Sequence, residues 1–356
     1  MDFTFTDDQI ALRDSVHRFL MVEAAPEMLR DIWETDLGRS PSLRARIAQQ
    51  GLTGLSVPEA EGGLGLNDLD WVLMTPELGY FAIPDSLADT AYVATGMLSA
   101  LPAQSTVRAQ WLPRVVAGSC RIAVGHPVNP WVADAPGADL LLLPHGTPQG
   151  PAVHAVPRAA VDVEASDSID ASRRLARVHW TPDQGTLVAD GAQGQALWDD
   201  ALDRGALNVA GQLVGLAQRM LDMTIDYAAQ RRQFGRPIGA FQAVKHHLAD
   251  VATQIEFARP VLYRAAHALA QRENDRALRI SHAKLACAEA AWTAARKGIQ
   301  VHGAMGYTWE VDLQMFMKRA WVLDAAWGDR AFHKERLGDA LLADGALLGP
   351  GSTFAQ

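Results

Sequence analysis

At 356 residues the chain is longer than a single hydrophobic core usually serves, so two or three modest domains are expected. Hydrophobic residues make up 49% and charged residues 21%, the balance of a folded globular protein, which argues against disorder. The net charge of -9 is spread without a block of one sign, so neither nucleic acid nor an anionic membrane surface is favoured as a partner; small molecules or other proteins are expected.

The opening "MDFTFTDDQIALRDSVHRFL" is amphipathic and acidic, without the basic and apolar regions of a signal peptide. No run reaches the roughly 18 apolar residues of a membrane span. Cys120 and Cys287 stand alone and far apart, which suggests neither a zinc site nor a disulfide and fits a reducing cytosol. From Thr6 to about Val116 apolar residues recur at three and four, with stops at "PEAEGGLGL" and "FAIPDS" and a helix ending near Gly51. From Ser119 to about Thr186 short apolar runs such as "ADLLLLPHG" and "GPAVHAVP" alternate with Pro, Gly and Asp, as strands do. From about Asp200 the helical period returns in three long stretches, with Asn274 or Asp275 as an N-cap before the third and Gly303 and Gly306 ending it. The expected order is a helical domain over 1–118, a small β domain over 119–195 and an antiparallel helical bundle over 196–356.

Two stretches of the bundle carry chemistry. In "RRQFGRPIGAFQAVKHHLAD" (residues 231–250), Arg231, Arg232 and Gln233 fall where one helix ends, and Phe234-Gly235 with Pro237 turns the chain. Arginines fixed at such an elbow suit a phosphate, or they complement the helix dipole. In "IQVHGAMGYTWE", Gln300 and His302 end a helix at Gly303, where an amide beside exposed backbone could hold part of a nucleotide; a helix stopping at glycine looks the same. His126, His246, His247 and His302 lack the spacing of metal ligands, and no metal is expected.

In this order and spacing, the two stretches resemble the C-terminal domain of flavin-dependent acyl-CoA dehydrogenases. "GLTGLSVPEAEGGLGLNDLDWVLMTPELGYFAIP" resembles that family's helical N-terminal domain. The resemblance implies an acyl-CoA dehydrogenase-like fold: an α-helical N-terminal domain, a small reduced β domain and a C-terminal antiparallel four-helix bundle. It implies FAD shared across a subunit interface, held by Arg231, Phe234 and Gln242 and by the segment from Gln300 through Gly303 to Ala304. It also implies α,β-desaturation of an acyl-CoA thioester, with a carboxylate base at the α-carbon and an electron-transfer flavoprotein as acceptor.

The sequence departs from that pattern at the base. In many members the base is the Glu of a Glu-Gly-Thr loop, and a gap-free count from Gly306 puts Trp327-Gly328-Asp329 there. A second placement in the family falls on Gly205. Asp203, Asp324 and Asp329 lie close in sequence, as weak candidate bases or as capping and surface residues. Asp329 also stands where a threonine normally touches the flavin, and "GHPVNPWVADAPGADLLLL" lacks the family's Thr/Ser-Glu-Pro-rich-Gly stretch. This combination resembles the smaller, base-lacking subunit of bacterial heteromeric acyl-CoA dehydrogenases. It implies a homologous catalytic partner in an α2β2 heterotetramer and a steroid side-chain or other bulky acyl-CoA. A homo-oligomeric dehydrogenase using Asp203 or Asp329, and a non-catalytic scaffold, are the alternatives.

Overall fold

The computed structural model describes residues 4–36 and 38–346. Helix α1 (Asp7–Glu23) starts behind Thr6, which accepts from the Gln9 amide while the Gln9 side chain accepts from the Thr6 amide, a reciprocal cap. It is followed by α2 (Pro26–Trp33), by α3 (Pro41–Gln49), which is capped by Ser40, and by α4 (Asp68–Tyr80), capped reciprocally by Asn67 and Asp70. A π-helical stretch at Asp89–Ala94 runs into α5 (Thr95–Ser99), and α6 (Thr106–Val116) completes the layer.

Two small sheets come next. Strands β1 (Ile122–Val124), β3 (Leu140–Thr147), β4 (Gly150–Pro157) and β7 (Leu187–Ala189) form one, in the order β1-β3-β4-β7, with β1 parallel to β3. Strands β2 (Val132–Ala133), β6 (Leu175–His179) and β5 (Asp162–Ser166) form the other. The run Leu140 to Leu143 is buried on both faces: Leu140 and Leu142 join the main core, and Leu141 and Leu143 join a second apolar cluster with Val156 and Ala176. Period-two geometry thus turns four consecutive leucines into the link between two cores.

Helix α7 (Gly191–Gln230) begins earlier than the periodicity suggests, because "GAQGQ" carries too few apolar residues to show its first turns. Its 40 residues extend about 60 Å. A hairpin of β8 (Arg232–Gln233) and β9 (Arg236–Pro237) joins it to α8 (Gln242–Ala270), followed by α9 (Arg276–His302), α10 (Leu313–Asp324) and α11 (Arg330–Leu342). Helix α4 lies hard against α7, where a Cβ at Gly211 would overlap Thr75 and one at Gly215 the backbone of Pro76. This close crossing locks the N-terminal layer onto the bundle and fixes what α7 presents to the sheets. Among the described residues no helix is long and apolar enough to cross a membrane.

Candidate functional site

The elbow is a two-residue hairpin. The Arg231 amide still donates to Tyr227 O (2.8 Å), ending α7, and Ile238 N donates back to Arg231 O (2.8 Å). At the tip, Phe234 (φ 51°) and Gly235 (φ 78°) are both left-handed, as the favoured two-residue hairpin turn requires. Glycine adopts this conformation freely, but for phenylalanine it is strained, and its side chain is 91% exposed. Phe241 supports the tip, meeting Phe234 edge to face at 6.1 Å and lying under the Arg236 guanidinium at 4.1 Å. Arg231, Arg232 and Arg236 are exposed and, among the described residues, have no carboxylate partner. Gln242, also exposed, is the first residue of α8.

The second motif lies beside the first. Gly303 (φ 63°) ends α9, and Gln300, Gly303 and Ala304 are exposed. His302 is buried; its Nδ1 donates to Gly298 O (2.9 Å) and its ring stacks on Tyr227 at 4.1 Å. Tyr227 therefore links the two motifs, since its carbonyl also takes the Arg231 amide. The arrangement offers free cations, an exposed aromatic ring, an amide and open backbone on one surface, a donor set suited to a nucleotide diphosphate.

The base positions tell a different story. Gly205 on α7 and Trp327 after α10 are in contact: a Cβ built on Gly205 would overlap the Trp327 indole. The two sequence positions at which the resemblance places a base thus converge in space, and one indole, 3% exposed, fills the place. Trp327 (φ 56°) is left-handed and firmly held: its amide donates to Asn129 Oδ1 (2.8 Å) and its carbonyl accepts from His333 Nε2 (3.0 Å). The Lys284 ammonium, buried, donates to Asp324 O (2.7 Å) and Gly328 O (3.3 Å) on the same turn, and burial lowers its pKa to about 8. His333 is lowered to about 4 by burial and by neighbouring Lys284.

From the β side, His126 packs against Trp198 (5.5 Å) and Trp327 (5.6 Å). The Val128 amide donates to its Nδ1 (3.0 Å), so Nε2 carries the proton and donates to Trp198 O (3.1 Å); burial lowers this imidazole to about 4. It is a satisfied neutral core histidine.

The aspartates are occupied elsewhere. Asp203 is buried between Arg276 and Arg336, each at 3.4 Å, and burial raises its carboxyl to about 6 against the pull of both. Asp329 caps α11 through the Phe332 amide (2.8 Å), and Asp324 pairs with Arg330 (2.8 Å). His246 and His247 lie on α8, where His247 Nδ1 meets Lys297 Nζ at 2.9 Å. Sequence reasoning missed Asn129, Lys284 and His333, which hold this turn, and Trp198, which packs on His126; a lysine inside an apolar helical stripe was the one visible signal.

A helical layer, two small sheets and a long-helix bundle carrying a cationic elbow define an acyl-CoA dehydrogenase architecture. Residues 6–119 match the family model "Acyl-CoA dehydrogenase, N-terminal domain" and residues 192–342 the model "Acyl-CoA dehydrogenase, C-terminal domain". The chain belongs to the acyl-CoA dehydrogenase family of oxidoreductases, whose cofactor is FAD. It is 32% identical over 317 residues to acyl-CoA dehydrogenase IpdE2 of Mycobacterium tuberculosis, covering 88% of this chain and 91% of that protein. The ChsE4-ChsE5 complex from Mycobacterium tuberculosis shares the fold, with a TM-score of 0.87 at 24% identity over 97% of this chain and 100% of that one. The Tcur3481-Tcur3483 steroid ACAD is similar with a TM-score of 0.85 at 25% identity, over 96% and 99%.

Proposed function

We propose that this chain is the base-lacking subunit of a heteromeric, FAD-dependent acyl-CoA dehydrogenase, and that it contributes the nucleotide-binding half of a shared site to a catalytic partner. One observation carries the reading: the Trp327 indole lies on Gly205, so both positions open to a base are filled by a single apolar side chain. The elbow and the end of α9, by contrast, keep free donors on an accessible surface. The ChsE4-ChsE5 complex shares this fold, and the similar Tcur3481-Tcur3483 steroid ACAD is likewise named for two proteins, which supports a partner subunit.

FAD, when bound, supplies the hydride acceptor of the desaturation. On this chain Arg231 and Arg236 would hold the pyrophosphate, Phe234 would lie against a ring of the nucleotide, and Gln300 with the backbone at Gly303 and Ala304 would receive the adenosine end. Gln242 would add an amide at the start of α8. Trp327, His126 and Trp198 exclude water and substrate from the equivalent cleft of this chain, leaving proton abstraction to the partner's carboxylate. Asp203 is unsuited to that task because two arginines already share it. The steroid ACAD among the similar structures supports a steroid-derived acyl-CoA as substrate; the assembly with the partner would be α2β2. An electron-transfer flavoprotein would take the electrons.

The test is anaerobic bleaching of the flavin by acyl-CoA in the co-purified complex. Changing the partner's base glutamate to Gln should abolish bleaching, whereas Asp203→Asn and Asp329→Asn in this chain should leave its rate within about twofold. Loss of bleaching with either aspartate variant, in a complex that retains its flavin, would refute the assignment.

A further inference from the structure

A cavity of about 130 Å³ lies between α1, α4, α7 and α8, beside the close crossing of α4 and α7 at Gly211 and Gly215. It shares no lining residue with the elbow, the end of α9 or the Trp327 turn. Its inner end is apolar, with Leu73, Val214, Gly215 and Leu262 all buried. Its outer end is polar, with Arg13, Glu77, Tyr80, Arg259 and Tyr263 half-buried. Two of these polar groups are held within the protein: Tyr80 donates to Asp222 (3.0 Å), and Arg259 is engaged by Gln218 (2.9 Å) and Glu256 (3.3 Å). Three keep free capacity. Arg13 gives Nε and Nη2 to Asp14 and retains Nη1, and Glu77 meets His17 through Oε2 and retains Oε1. The Tyr263 hydroxyl has no hydrogen bond among the described residues, while its ring is fixed edge to face against Phe5 at 5.0 Å. Burial raises the Tyr263 pKa, opposed by Arg259 and Arg13 and assisted by Glu256 and Glu77, so cations and carboxylates both stand near this hydroxyl. Such a wall favours neither an anion, which Glu77 repels, nor a cation, which Arg13 and Arg259 repel. A neutral hydroxyl suits it, because one O–H can donate to Glu77 Oε1 while its lone pairs accept from Arg13 Nη1 or Tyr263. Volume sets the rest: an apolar cavity of about 150 Å³ takes up benzene, so this one fits a single six-membered ring.

We propose that this cavity binds a small neutral ring alcohol, with its six-membered ring against Leu73, Val214 and Leu262 and its hydroxyl at Tyr263, Glu77 and Arg13. The class covers phenols and their saturated counterparts. The proposal is independent of the subunit assignment, because neither the elbow nor the base positions contribute to this site.

The test is calorimetric titration of the full chain, in its co-purified complex where one forms, with phenol and with cyclohexanol, against toluene and benzoate as controls. Saturable binding of a ring alcohol is expected, with toluene and benzoate at least tenfold weaker. Leu73→Phe, which fills the inner end, should abolish it. Tyr263→Phe removes a hydroxyl that holds nothing else in the protein, so it should leave the fold intact and weaken binding severalfold; it serves as the test if the Leu73 variant does not fold. Binding of both alcohols shows that any ring with a hydroxyl suffices, and binding of one alone narrows the class to flat or to saturated rings. No saturable binding of either alcohol, toluene or benzoate binding as tightly, or an affinity unchanged in Tyr263→Phe would overturn the proposal.

Discussion

Gly205→Ala isolates the contact on which the account rests. In a helix interior, alanine should stabilise by about 1 kcal/mol relative to glycine. Here the new methyl would stand closer than 3.0 Å to three atoms of the Trp327 ring. The indole has little freedom to retreat, because Asn129 and His333 hold its amide and carbonyl and Lys284 holds the turn. Overpacking of this kind costs about 1–3 kcal/mol, and a pinned neighbour argues for the upper part of that range, so the net expectation is a loss of about 1–2 kcal/mol. Trp327→Ala should cost about 3–5 kcal/mol by emptying the site. In that background Gly205→Ala should become stabilising by about 1 kcal/mol, giving a coupling of about 2–3 kcal/mol across the pair. Urea unfolding of the four proteins measures it. A Gly205→Ala variant at least as stable as the parent, or additivity within about 0.5 kcal/mol, would show that the two positions do not meet.

Lys284→Met should destabilise by about 1–3 kcal/mol, because two buried carbonyls lose their donor, and the loss should appear as a lower thermal midpoint. His126 and His333, both held near pKa 4, refuse protons that the unfolded chain takes up below about pH 6.5, so each makes stability fall as pH drops from 6.5 towards 4. Asp89 and Asp203, raised to about 6 by burial, take up protons in the folded state first and oppose that fall between pH 6 and 4. Asp89→Asn/Asp203→Asn should therefore lose stability more steeply over that window than the parent in denaturant titrations at stepped pH. Arg231→Ala and Phe234→Ala, both at exposed positions, should change unfolding free energy by less than about 0.5 kcal/mol while lowering the flavin content of the partner complex.

The order of layers was legible because each has its own period: three and four in the helices, short apolar runs between Pro and Gly in the sheets. The elbow was legible too, since Arg-Arg-Gln-Phe-Gly-Arg-Pro announces a helix end and a tight turn through residue chemistry alone. The start of α7 was not, because Gly191 and Gly194 interrupt its pattern. Counting along the sequence identified Trp327 and Gly205 separately, but nothing in one dimension says that they touch; the contact depends on how α7 and the turn after α10 pack. Asp203 illustrates the same limit: a carboxylate near the right place in sequence is held by Arg276 and Arg336, both distant in the chain. The cavity beside Tyr263 was invisible for the same reason, since its wall comes from α1, α4, α7 and α8.

The most direct test of the central claim is the ratio of FAD to chain, by absorbance and denaturing release, for this protein purified alone and co-purified with an acyl-CoA dehydrogenase chain that carries the Glu-Gly-Thr loop. The account predicts little flavin on the lone chain and one FAD per pair of chains in the complex. One FAD on each lone chain, bleached by an acyl-CoA without a partner, would contradict it.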